Sequence, residues 1–191
     1  MSMVLNLHSL IELTHEQFAT LCRHNQDLRM ERTATGELVI MPPTGGETGR
    51  RNLNLASQLW LWNQRSQLGE AFDSSTGFTL PNGATRSPDA AWVTKARWQT
   101  LTPEQRRSFI PLCPDFAVEL LSPSDTLPGV RPKMQEYLEN GLRLGWLIDP
   151  ATKQVECYRA GHTVDVLENP KELMGDPVLP GFVLDLSDIL V

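Results

Sequence analysis

Residues 115–121 read DFAVELL, and no other stretch constrains the fold as strongly. The run is almost unbroken in apolar side chains and has the length of a strand, which suits a central strand covered on both faces. Such a strand needs packed layers above and below it, so the chain must build a sheet flanked by helices. Glu119 stands in the middle of that run. An isolated carboxylate buried there would cost several kcal/mol, so it is paired, protonated or bound to a cation. Two plainer readings of the local pattern stay open: an edge-strand Glu turned to solvent, or a Glu paired with a structural Arg.

The flanking sequence supplies the layers. Thr14-His15-Glu16-Gln17 has the form of a capping box and predicts a helix over residues 14–25. Residues 37–41 (ELVIM) predict a brief strand stopped by Pro42-Pro43. A long helix follows over 47–68, with Leu53, Ala56, Leu59, Trp60 and Trp62 as its expected apolar stripe. Arg50, Arg51, Asn54, Gln58 and Arg65 favour its other side. Residues 77–80 and 87–93 are expected to pair as a hairpin around Pro81-Asn82-Gly83. Two short helical pieces fill 94–113, one capped by Thr102 ahead of Pro103. After the central strand, residues 123–132 are expected as a loop and 133–140 as a helix stopped by Gly141. Strand 144–148 and a hairpin of 154–159 with 163–167 complete the order. The expectation is one α/β (α+β) domain over residues 1–191, with its core at about 14–187.

At 191 residues the chain is long enough for one well-buried core and short for two. Cys22, Cys113 and Cys157 lie far apart without a CxxC spacing, so they suggest neither a zinc site nor a disulfide framework, and a cytoplasmic setting is expected. No segment approaches the length of a membrane span. The net charge of −6 argues against coating nucleic acid by charge alone. It does not exclude a nuclease, because metal-binding carboxylates count as negative until the ion arrives.

A metal needs a second carboxylate, and two Pro-Asp pairs offer one: Pro88-Asp89 and Pro114-Asp115. Asp115 and Glu119 lie on one strand with Cα atoms ~13 Å apart. That spacing is too long to share an ion at the ~2.0–2.1 Å distances magnesium prefers. Asp89, on a neighbouring strand, can lie across from Glu119, which leaves Asp115 as a strand-start residue. Lys133 can bring an ammonium to the same point if its helix packs back on the central strand; alone, it reads as a solvated lysine.

Taken together, SPDAAWV, DFAVELLSPSD, KMQEYLENG and LGWLIDP resemble the Uma-two family of restriction-endonuclease domains, within the PD-(D/E)xK nuclease superfamily. The resemblance runs from about residue 14 to 187. It implies a restriction-endonuclease-like mixed central sheet, and a superfamily lysine moved from the strand, where this chain has Leu121, to Lys133 on the next helix. It also nominates Glu47, at the start of the long helix, as the first acidic residue, although a Glu in a first turn is stabilised by the helix dipole in any case. Gly129 stands near a place that is often acidic in the family.

The function implied is hydrolysis of nucleic-acid phosphodiester bonds, on DNA rather than RNA. Asp89, Glu119 and the main-chain carbonyl of Leu120 would hold Mg²⁺ or Mn²⁺, and Lys133 would orient or deprotonate the attacking water. Arg50 and Arg51 are candidate phosphate clamps. The alternative is a nuclease fold that binds without cutting, as an accessory in a complex. A homodimer follows by analogy only, and Trp60 and Trp62 could serve an interface or the core. Ser122 has no histidine in support, so a hydrolase triad is not expected.

Overall fold

The computed structural model describes residues 3–7 and 13–191, beginning with strand β1 (Met3–Leu5). Helix α1 (His15–His24) opens at Thr14, which exchanges side-chain and backbone hydrogen bonds with Gln17 as the capping box requires. Strands β2 (Arg29–Arg32) and β3 (Leu38–Met41) form a hairpin whose loop includes Gly36. With φ at +83°, Gly36 adopts a backbone that side chains resist. Sequence analysis leaves β2 unassigned, and it proves to carry part of the site.

Helix α2 (Gly46–Ser66) has the expected length but a different buried stripe. Leu53 and Trp60 are 69% and 52% exposed, whereas Thr48, Leu55, Leu59 and Asn63 face inward and Trp62 is half-buried. Polar residues mark the true inward line because they have buried partners. Asn63, for one, accepts the indole N–H of Trp92 at 2.8 Å. A pattern read by hydrophobicity alone therefore rotates the helix.

Strand β4 (Gly69–Asp73), also unassigned from sequence, leads to β5 (Phe78–Thr79) and β6 (Thr85–Arg86). The Pro81-Asn82-Gly83 turn does close a hairpin, but the return strand is β6 rather than residues 87–93. Pro88 has no N–H to continue that ladder, and the chain crosses into a second sheet as β7 (Ala90–Thr94). Short helices α3 (Lys95–Gln99) and α4 (Pro103–Arg107) follow, the latter capped by Thr102 with Pro103 in its first turn. Next come the central strand β8 (Phe116–Leu120) and helix α5 (Leu127–Glu139). Helix α5 begins six residues before its expected start at 133, so the expected loop of 123–132 is mostly helix. Pro128 fits a first turn, and the helix runs on through Pro132 because Met134 and Tyr137 are fully buried against the sheet. Strand β9 (Leu144–Asp149) and the hairpin of β10 (Gln154–Arg159) with β11 (Asp165–Glu168) are as expected, and β12 (Glu172–Met174) pairs with β13 (Val183–Asp185).

Among the described residues the strands form three sheets. The largest is mixed, in the order β11-β10-β9-β8-β7-β4, with β8 and β9 parallel and every other neighbour antiparallel. A second sheet has the antiparallel order β1-β3-β2-β6-β5. One face of the large sheet packs Phe116, Val118 and Leu120 against Leu55 and Leu59 of α2 and Phe182 near the chain end. The other face packs Ala117 and Leu121 with Met134 and Tyr137 of α5. Gly145 on β9 allows α5 this close, since a Cβ there would lie 2.6 Å from the Met134 methyl. The class is thus α+β, a mixed sheet flanked by helices.

Candidate active site

Strand parity decides where the carboxylates point. Side chains alternate along β8, so Glu119 shares the α5 face with Ala117 and Leu121. Ala91 and Val93 of β7 face the same way, and the strand period carries that orientation back to Asp89. Ala90 is paired with Val118 in the antiparallel β7–β8 register, which continues to set Asp89 opposite Glu119. Glu119 is therefore on a central strand, not an edge, and only 8% exposed.

Helix α5 covers that point. Lys133 and Tyr137 lie one turn apart and both reach the Glu119 carboxylate at Oε1, the ammonium at 2.8 Å and the phenol donating at 3.0 Å. The lysine also donates to Glu31 Oε1 at 2.8 Å. Glu31, on β2, is 3% exposed and accepts further bonds from the Ser87 backbone N–H at 2.9 Å and from Arg86 at 3.2 Å. Arg86 is held in turn by Glu136 of α5 at 2.6 Å. The cluster therefore joins both large sheets through one helix. Asp89 accepts from the Leu120 backbone N–H at 2.9 Å and from the Asn52 side chain of α2 at 3.0 Å. The Leu121 N–H goes to Ile148 on the opposite side, so the Leu120 carbonyl turns toward the Asp89 side of the strand.

The protonation balance follows from burial and charge. Burial, with repulsion from Asp89 and Glu31, pushes Glu119 up to about 7 against the pull of Lys133. Burial also raises Asp89, more than the Leu120 N–H and Lys133 lower it. Glu31 is equally buried, yet Lys133 and Arg86 together outweigh that cost and hold it below its ordinary value. Burial opposes the charge on Lys133, but Glu119 and Glu31 overcome it, so its proton is held more tightly than in a free lysine. Four carboxylates (Glu31, Asp89, Glu119 and Glu136) face three cations (Lys133, Arg86 and, acting on Asp89, Arg29), an excess of negative charge in a mostly buried space.

That excess bears on whether a divalent ion fits. Among the described residues no group of three His, Cys, Asp or Glu side chains is arranged as a ready cage. A magnesium-type ion does not need one, since it keeps several waters and takes one or two carboxylates. The donor chemistry suits it: two hard carboxylates opposite one another, a main-chain carbonyl beside them, and the Asn52 side-chain oxygen. This oxygen is buried next to Asp89 without a hydrogen-bond partner among the described residues.

The remaining candidates lie elsewhere. Glu47 is 70% exposed in the first turn of α2 and pairs with Arg50 at 3.3 Å and Arg51 at 4.0 Å, outside the buried network. Arg51 also donates to the Val191 carbonyl at 2.7 Å. Asp115 is buried at the head of β8, where it accepts from the Thr94 N–H at 2.8 Å and pairs with Arg97 at 3.1 Å. Ser122 donates to Asp125 at 2.6 Å. Trp60 lines a cleft of about 400 Å³ with Phe72 and Asp73, at α2 and β4. Sequence reasoning missed Glu31, Asn52 and Tyr137. Of these, only the strand carrying Glu31 had a usable signal, because RMERTATGELVI is a hairpin pattern around a Gly-containing loop.

Comparison with known proteins agrees with this architecture. The Uma2 family profile, described as "Putative restriction endonuclease", matches residues 15–187. Among solved structures the chain is similar to one described as a "putative nuclease belonging to DUF820" from Anabaena variabilis. The two share 22% identity and superpose with a TM-score of 0.70 over 84% of this chain and 89% of that one. No curated protein matches.

Proposed function

The chain belongs to the Uma2 family, and from that premise we propose that it is a metal-dependent endonuclease that hydrolyses nucleic-acid phosphodiester bonds. The observation that carries the reading is the placement of Asp89 opposite Glu119 with the Lys133 ammonium 2.8 Å from the latter. Asp89 and Glu119 would hold Mg²⁺ or Mn²⁺, with the Leu120 carbonyl on the Asp89 side of β8 and the unpartnered Asn52 oxygen on the residue that hydrogen-bonds Asp89. Such an ion, when bound, supplies a Lewis acid that acidifies water and offsets charge on the phosphate.

The protein's own groups do the rest. Lys133 keeps its proton, so it acts as a fixed cation that orients the attacking water and steadies the developing phosphate charge. Tyr137 orients the Glu119 carboxylate through its 3.0 Å hydrogen bond. Arg50, 45% exposed, is available to a phosphate, with Glu47 ordering it. The substrate class we assign is DNA ahead of RNA, acted on by one domain over residues 1–191 in a cytoplasmic setting, with a homodimer for double-strand cutting. Among the described residues no helix is long and apolar enough to cross a membrane.

The rival is a nuclease fold that binds without cutting. It draws on the self-neutralised state of Lys133, which already sits between two carboxylates. Incubation with mixed DNA and RNA substrates in Mg²⁺, Mn²⁺ or EDTA separates the two. Cleavage that EDTA stops supports the nuclease, and binding without cleavage in either metal supports the rival.

A further inference from the structure

Lys133 has two carboxylate partners at the same distance, Glu119 on β8 and Glu31 on β2. On the reading above, a divalent ion takes the Glu119 carboxylate and places like charge beside the ammonium. With Glu119 as its sole acceptor, the flexible lysine stem would let that ammonium swing away. Glu31 belongs to a different sheet and is fixed from several sides. Its Oε1 accepts from Ser87 N–H at 2.9 Å and its Oε2 from Arg86 at 3.2 Å, while the β2 backbone pairs with β3 and β6. Arg86 is itself anchored on Glu136. Both Glu31 oxygens are thus engaged, which leaves this carboxylate aimed at Lys133 rather than free to ligate an ion.

We infer that Glu31 is a positioning residue: it holds the Lys133 ammonium at the site while a divalent ion occupies Asp89 and Glu119. This inference rests on the metal-binding role of those two carboxylates. Without Glu31 the whole charge of Lys133 falls on Glu119, and the lysine then competes with the ion for one carboxylate. Glu31 therefore tunes metal affinity through the lysine.

A double-mutant cycle on the full chain tests this, with Mn²⁺ alone titrated calorimetrically into wild type, E31Q, K133M and E31Q/K133M. The methionine keeps the stem length without the charge, and Glu31 retains Arg86 and Ser87 as partners in that background. E31Q is expected to weaken Mn²⁺ binding about tenfold, the size of coupling found between groups in direct contact. In the K133M background the same change is expected to alter affinity by less than about twofold. Should E31Q fail to fold, E31D keeps the charge but shortens the reach; its smaller weakening must likewise vanish with K133M. Equal weakening in both backgrounds means Glu31 acts by its own charge or as a ligand, and overturns the inference. Unchanged affinity in both backgrounds overturns it too, leaving Glu31 a partner of Arg86 only. Absence of Mn²⁺ binding by wild type overturns the metal-site reading and this inference together.

Discussion

Replacing Glu119 with glutamine should stabilise the metal-free protein, which is the reverse of the usual result for cutting a buried ion pair. Glutamine mimics the protonated acid in shape and charge, so the displacement of the Glu119 pKa measures the effect. It rises from an ordinary 4.5 to about 7, because burial and the nearby Asp89 and Glu31 outweigh Lys133. The folded state therefore holds its proton to higher pH than the unfolded chain does. Wild-type stability falls as pH rises from about 4.5 to about 7, then levels off. At ~1.4 kcal/mol per unit, the accumulated cost at pH 8 is about 3 kcal/mol. E119Q should thus melt above wild type by about 6–12 °C at pH 8 in EDTA, and level with it near pH 4. Saturating Mg²⁺ or Mn²⁺ should reverse the comparison. Wild type gains about 4.1 kcal/mol when the ion stands at a thousand times its Kd, more than the about 3 kcal/mol it lacks without the ion, while E119Q has lost a ligand and gains little. Scanning calorimetry at pH 4 and 8, with and without the ion, reads all four states. Lower stability of E119Q at pH 8 in EDTA, or equal metal shifts in both proteins, would refute the electrostatic reasoning.

Five further outcomes follow from the same geometry. Mn²⁺ affinity should weaken about tenfold per pH unit below 7, because Glu119 must shed its proton to bind the ion, and be flat above it; affinity constant from pH 5.5 to 8 contradicts this. D89N should lose metal-dependent cleavage while keeping its circular dichroism spectrum. D115N should instead lose about 1–3 kcal/mol of stability, through its bonds to Thr94 and Arg97, yet cleave normally per folded molecule; the opposite assignment in denaturant melts and turnover assays would undo the choice between the two aspartates. K133A should cut turnover sharply and leave metal binding equal or tighter. K133R should rescue poorly, since a larger, planar guanidinium cannot keep the compact charge of an ammonium 2.8 Å from both carboxylates and also present it to a water; full rescue would show that charge alone suffices.

The parts of the site that could be read from sequence are those whose physical cost is local. A carboxylate inside FAVEL has to be compensated, which singles out Glu119, and strand spacing disfavours Asp115 in favour of Asp89. The β7–β8 register then places Asp89 where that argument wanted it. Lys133 was legible only as a conditional candidate that the family resemblance strengthened, because Pro128 and Pro132 disguise the first half of α5 as a loop. Glu31 lies 102 residues from Lys133 and 55 from Arg86. No window on the chain can show that RMER faces a buried lysine rather than water. Asn52 was hidden for a related reason: α2 turns Thr48 and Asn63 inward, so hydrophobicity assigned the wrong face. Pro88 likewise separates β6 from β7, so that Ala90–Thr94 joins a sheet that pattern matching could not foresee.

Anomalous scattering from Mn²⁺ in crystals of the wild-type protein tests most directly the claim that the paired carboxylates hold a divalent ion. A single strong peak is predicted between Asp89 and Glu119, at about 2.0–2.3 Å from an oxygen of each, with the Lys133 ammonium still against Glu31. Crystals in saturating Mn²⁺ with no peak there, and with Lys133 still bridging Glu31 and Glu119, would contradict it.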